Sequence, residues 1–211
     1  THTVGVLGGG PSGVNRIVAP PTAVSVISHC GQNSSTMSEI DLSACQDLAE
    51  IGLSFARMSS VASLRFPNAP PLKKLEGNFC TDAVLLMNVD LFPLENLQFI
   101  RDDAFKGCTA LQCLRLPPAV LEIGKFFCAH CVSLKTLNLG QLHGLRRLGR
   151  GAFAECAGLS LTLSHSATIS REHIARGVFV IQYAAPAAEN DDDSSPRRPE
   201  LRQDSEVWED W

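Results

Sequence analysis

No stretch of this 211-residue chain approaches the ~18–20 uninterrupted apolar residues of a membrane-crossing helix, so no membrane segment is expected. Nor does the N-terminus show the pattern of a signal peptide. The first residue is Thr1, not Met, and the chain is expected to be a fragment or a processed product. A strong charge is lacking as well. The chain carries −4, but residues 184–211 hold nine acids against three arginines, or −6, which leaves residues 1–183 at +2. A body this close to neutral gives no electrostatic footprint for nucleic acid. Catalytic signatures are missing too. There is no H-E-x-x-H, no G-x-S-x-G and no P-loop, and the six histidines (His2, His29, His130, His143, His165, His173) are scattered.

What is present is a hydrophobic content of 45%, enough for a real core. It is laid out as a repeat. Cys108, Cys131 and Cys156 lie 23 and 25 residues apart, and Leu111, Leu134 and Leu159 follow each by three. Val61, Leu86 and Leu111 extend that column upstream. Leu64, Val89, Leu114 and Leu137 form the next one, and Phe66, Leu91, Leu116 and Leu139 the one after. Met37, Ile40 and Leu42 lie 24 before Val61, Leu64 and Phe66. Leu48 and Ile51 lie 24 before Leu72 and Leu75, and Val24 and Ile27 lie a further 24 before those. This makes five repeats and a weaker sixth at the N-terminus. The final one is a residue short, with Leu159, Leu161 and Leu163 in place of L-x-x-L-x-L.

A unit of this length built on L-x-x-L-x-L predicts a leucine-rich-repeat solenoid with a parallel β-sheet on its concave face and few regular helices. One short strand and its return turn cannot bury their own apolar side. Stacked copies turn each leucine column into a continuous core. The fuller pattern is L-x-x-L-x-L-(P)-x(4–5)-L-x-x-I-x(3–4)-F-x(2–3)-C, with Ala69, Leu94, Ala119 and Leu142 where animal and plant repeats carry Asn. Over about residues 37–163 it resembles the BspA-like, or Treponema-type, leucine-rich repeats. That resemblance implies a curved solenoid used for protein binding or adhesion, with no enzymatic activity and no cofactor of its own.

Competing motifs weigh less. Gly8, Gly10 and Gly13 have the G-x-G-x-x-G spacing of a dinucleotide-binding turn. A helix of about a dozen residues must then follow, and Pro20 and Pro21 would break it. Ser28 and His29 also stand where an acid should meet the ribose. A flexible Gly-rich lead-in is favoured over a dinucleotide-binding oxidoreductase fragment. C-A-H-C at Cys128–Cys131 has no second C-x-x-C, and Cys131 belongs to a repeat column, so a buried structural thiol is favoured over a metal or redox site. Buried unpaired thiols lean towards a reducing, cytoplasmic setting over the cell surface without fixing the compartment. The sequon Asn33–Ser35 carries little information without evidence of secretion.

Alternation along the strands sends the residues between the leucines to the concave face. One column reads Asp41, Arg65, Asp90, Arg115, Asn138, Thr162; beside it run Glu39, Ser63, Asn88, Cys113, Thr136 and Ser160. The first column is expected either to pair its charges internally or to form a polar docking strip for a protein. After Leu163 the pattern changes, and residues 169–183 are expected to give a short helix and a final strand. Residues 184–211 read as a disordered acidic tail holding both tryptophans of the chain, Trp208 and Trp211. "EVWEDW" is a candidate docking motif.

The expected organisation is a Gly-rich segment over 1–13, a capped solenoid over 14–183 and the tail over 184–211. The expected function is non-enzymatic recognition of a protein partner through the concave face. A recognition or adhesion domain cut from a larger surface or signalling protein is the alternative.

Overall fold

The computed structural model describes residues 2–4, 14–164 and 179–182, and among them it contains strands and turns but no helix. In chain order the first strands are β1 (His2–Val4), β2 (Arg16–Val18), β3 (Ala23–Val26), β4 (Glu39–Asp41), β5 (Glu50–Ile51), β6 (Ser63–Arg65), β7 (Lys74–Leu75) and β8 (Asn88–Asp90). They are followed by β9 (Phe99–Ile100), β10 (Cys113–Arg115), β11 (Glu122–Ile123), β12 (Thr136–Leu139), β13 (Arg147–Leu148), β14 (Ser160–Leu163) and β15 (Phe179–Gln182).

The strands sort into two parallel ladders. The first holds the even-numbered strands and β15, as the hydrogen-bonded sheets β2-β4-β6, β8-β10 and β12-β14-β15. The second holds the other odd-numbered strands, as β1-β3-β5 and β7-β9-β11-β13. Each coil from β2/β3 to β12/β13 supplies one strand to each ladder, so the chain winds a parallel β-solenoid of six such coils. The strands are only two to four residues long because each coil must turn again at once, and neighbouring coils are ~4.8 Å apart.

The core is the set of columns that face inward. Ile40, Val89, Leu114, Leu137 and Leu161 fill the strand centres of the first ladder, with Leu64 half-buried among them. Ile51, Leu75, Ile100, Ile123 and Leu148 do the same in the second. The short last repeat keeps register, since Leu161 pairs with Leu137 and Leu163 with Leu139. The missing residue is therefore absorbed ahead of the strand. At the other end the register differs from the sequence reading. Val26, not Ile27, sits beside Ile51, and Ala23 and Val26 are the buried pair. The turn in which the Ala23 N–H bonds Pro20 O starts this strand one residue earlier.

The third side of each coil is a turn, and it is closed by backbone. Ser54, Ala56 and Met58 donate their N–H groups to the carbonyls of Gly77, Phe79 and Thr81 in the next coil. The pattern returns as Asn78, Cys80 and Asp82 donating to Asp102, Ala104 and Lys106. Making it requires two left-handed residues per coil, four apart. They are His29 and Asn33, Ser54 and Met58, Asn78 and Asp82, Asp103 and Gly107, Phe126 and His130, and Gly151 and Glu155. Under this side Phe55, Phe79, Phe105, Phe127 and Phe153 form one fully buried file. The first two rings stack at 5.0 Å, and the rest meet edge to face at 5.7–6.2 Å.

Candidate functional site

The outward residues of the first ladder stand in the predicted columns. Asp41 is beside Arg65, Asp90 beside Arg115, and Asn138 beside Thr162. The second column pairs Glu39 with Ser63, Asn88 with Cys113 and Thr136 with Ser160. An even alternating charge ladder does not form, because the charges gather into two separate groups.

The first group surrounds β2, β4 and β6. Arg16 reaches Glu39 at 3.0 Å and Asp41 at 3.3 Å, while Arg65 turns to Glu39 at 3.3 Å. Asp41 is the least exposed of the column at 9%. It accepts the Ser43 hydroxyl at 2.6 Å and the Ser43 backbone N–H at 3.0 Å. Those bonds, with Arg65 and Arg16 nearby, hold its carboxyl below the ordinary range. The same short turn recurs where Asp90 accepts the Phe92 N–H and Asn138 accepts the Gly140 N–H. Three of the six predicted residues therefore hold the turn that follows them as well as facing outward. Arg16 was not singled out in the sequence because β2 lies in the weakest repeat.

The second group lies on β8 and β10. Arg115 donates to Asp90 at 2.9 Å, and both side chains are about half exposed, at 56% and 49%. The Arg115 guanidinium also lies 4.9 Å over the ring of Phe92, itself 38% exposed. Cation, anion and aromatic face thus meet at one exposed point. From β12 onward the outward residues are neutral: Thr136, Asn138, Ser160 and Thr162. Sequence reasoning missed Phe92, which lies just past the strand where alternation no longer says which way a side chain points.

The thiols lie elsewhere. Of the eight cysteines only Cys113 is exposed. The thiols of Cys108, Cys131 and Cys156 donate to the carbonyls of Cys80, Phe105 and Cys128. Burial drives Cys80, Cys108 and Cys128 well above the normal thiol range and Cys156 up to about 11. At neutral pH these groups are protonated and unreactive. Both thiols of C-A-H-C are thus buried in the core, with His130 between them exposed. Among the described residues no cluster of three or more His, Cys, Asp or Glu could hold a metal ion.

Gly8, Gly10 and Gly13 lie outside the described residues. The chain just after them forms β2 and β3, where a dinucleotide fold would place its helix. Trp208, Trp211, the tail and the helix expected after residue 169 also lie outside the described residues. The expected final strand is β15, paired in parallel with β14. No helix of the described residues is long and apolar enough to cross a membrane.

Residues 85–177 match the family described as BspA type leucine rich repeat region, in six copies. The chain is similar to a leucine rich repeat protein of T. pallidum, with 17% identity and a TM-score of 0.44, over 79% of this chain and 73% of that one. It is also similar to a leucine-rich repeat protein of Bacteroides ovatus ATCC 8483, with 16% identity and a TM-score of 0.43, over 80% of this chain and 61% of that one. No curated protein matches the chain significantly.

Proposed function

We propose that this chain, whose residues 85–177 match the BspA type leucine rich repeat region, is a non-enzymatic recognition module that binds a protein partner through the outward, concave face of the first ladder. The observation that supports this reading is the exposed group of Asp90, Arg115 and Phe92. An ion pair this open contributes only ~0–1 kcal/mol to stability. Its charges remain available to a partner, and arginine with an aromatic is a frequent binding hot spot. The group around Arg16, Glu39, Asp41 and Arg65 has its carboxylates more deeply buried and acts mainly in the fold, flanking the docking centre. Asn138 and Thr162 supply neutral hydrogen-bonding groups on the other flank.

The test is affinity capture with the intact chain and with Asp90→Lys and Arg115→Glu variants, each checked for an unchanged melting temperature. Partners retained by the intact chain and lost by both variants support the concave face. Partners indifferent to both reversals place recognition elsewhere. A parallel capture with a chain ending at Tyr183 separates the solenoid from a tail-borne motif at Trp208 and Trp211.

A further inference from the structure

The two ladders carry different charge. Across the first, Arg16, Arg65 and Arg115 balance Glu39, Asp41 and Asp90. The second ladder between β7 and β13 is not balanced. Lys74 and Arg147 occupy one column with Phe99 and Glu122 between them, and Lys73 and Arg146 precede them in their coils. Just past these strands come Arg101, Lys125 and Arg150, all exposed. These seven cations face three carboxylates, Glu76, Asp102 and Glu122.

Those carboxylates are already engaged. Glu76 pairs with Lys74 at 2.6 Å, and Glu122 holds Arg146 at 3.0 Å and Arg147 at 3.9 Å. Asp102 accepts the Lys125 backbone N–H at 2.8 Å. Lys73, Arg101, Lys125 and Arg150 have no ion pair among the described residues. The Arg101 guanidinium lies instead 5.6 Å over the half-buried ring of Phe99. A surplus of cations, mostly arginine, beside apolar surface suits a ligand that is both anionic and aromatic.

We propose that this basic face holds the chain's own acidic C-terminal segment, "DSEVWEDW" at residues 204–211, with its four carboxylates on the unpaired cations and a tryptophan ring against an arginine. Charge complementarity selects this occupant, since residues 184–211 carry −6 and the face an excess of four cations. Reach permits it. From β15 back to β9 is four coil steps, on the order of 19 Å at ~4.8 Å each, whereas twenty extended residues span up to ~66 Å. Tethering raises the effective concentration to the order of mM, so a contact too weak to hold two separate molecules is enough in one. The docked tail leaves the first ladder uncovered, so this inference does not depend on the recognition site proposed above.

Trp208 and Trp211 are the only tryptophans of the chain, so tryptophan emission reads the tail alone. The experiment uses the full chain. Acrylamide quenching and emission maximum are measured at ~0.1 M and ~1 M NaCl, across which the Debye length falls from ~10 to ~3 Å. The expected result is a blue-shifted emission quenched about twofold less at low salt, with the protection lost at high salt. It should also be lost in Arg146→Glu/Arg147→Glu and, as a second pair at different sites, in Lys125→Glu/Arg150→Glu. Emission that matches a free 184–211 peptide at both salts overturns the proposal. So does protection that survives both charge reversals, which places the tail elsewhere. Protection that vanishes on dilution also overturns it, by showing a tail docked on a second copy.

Discussion

The first ladder and the turn side of the same coils are stabilised in opposite ways. On the ladder, a run of apolar side chains buries itself and the backbone follows in ordinary extended geometry. On the turn side the backbone takes left-handed steps at φ 51–72° so that its N–H groups reach the next coil, and the phenylalanine file fills the space beneath. One side is specified by which residues are present, the other by shapes that many residues adopt under constraint. A coil repeats only if both sides advance together, which is why repeat lengths vary by no more than a residue or two around 24.

The comparison is sharpened most by deleting one core side chain from each side. Phe105 lies between the edges of two rings at 5.8 and 5.7 Å and is fully buried. Phe105→Ala is expected to cost about 3–5 kcal/mol and Leu137→Ala about 2–5, both by urea unfolding. The larger loss should fall on the turn side, where the bulkier side chain is removed. A Phe105→Ala chain that unfolds at the wild-type midpoint would refute the file as a core element.

Backbone crowding gives the next effect. Gly149 follows β13 with no room for a side chain, since a Cβ would stand 2.3 Å from Gly124 C and Lys125 N. Gly149→Ala is expected to cost about 1–3 kcal/mol through overpacking. Gly158 is the control, with φ +75° but open space around it. Gly158→Ala should cost nearer 1 kcal/mol, from backbone strain alone. Equal losses at the two sites would show that the coils do not press together after the second ladder.

This contrast explains what could be read before the structure. The leucine columns, the buried Cys131 and Cys156 and the outward column from Asp41 to Thr162 all follow from side-chain type at a fixed period, and the structure places each in register. The left-handed positions were illegible because His29, Ser54, Met58, Asp103, Phe126 and Glu155 share no chemistry. The β3 register was misread for a related reason. Val24 and Ile27 are more hydrophobic than Ala23, but the Pro20 turn, a backbone feature, decides which residues face inward. The exposed meeting of Asp90, Arg115 and Phe92 needs two coils and the residue after a strand, a combination no single repeat reveals.

Protonation tests the ladder side at smaller amplitude. Asp41 has a folded pKa below its unfolded value of about 3.9, chiefly through the Ser43 hydroxyl and N–H. Its contribution is therefore full above the unfolded value and is lost as pH falls through the folded one. Asp41→Asn should lower stability at neutral pH, with the gap to wild type closing as pH drops below about 4. A gap that stays constant down to pH ~2 would mean the carboxylate is not held in its charged form.

The smallest expected effect is a gain, and it is specific to the turn side. Met58 holds φ 53° with its side chain 51% exposed, and its N–H is bound to Thr81 O in the next coil. A left-handed residue with a side chain costs about 1–2 kcal/mol, which glycine does not incur. Glycine in turn loses more freedom on folding, an opposing ~0.4–1 kcal/mol. Little packing is forfeited, so Met58→Gly should raise stability by up to about 1 kcal/mol. The same change at Asn88, exposed but in extended backbone on β8, meets only the opposing entropy and should destabilise. Opposite signs for these two exposed sites would establish that the turn side is held against a conformational cost; a loss at both would show that Met58 is not strained in solution.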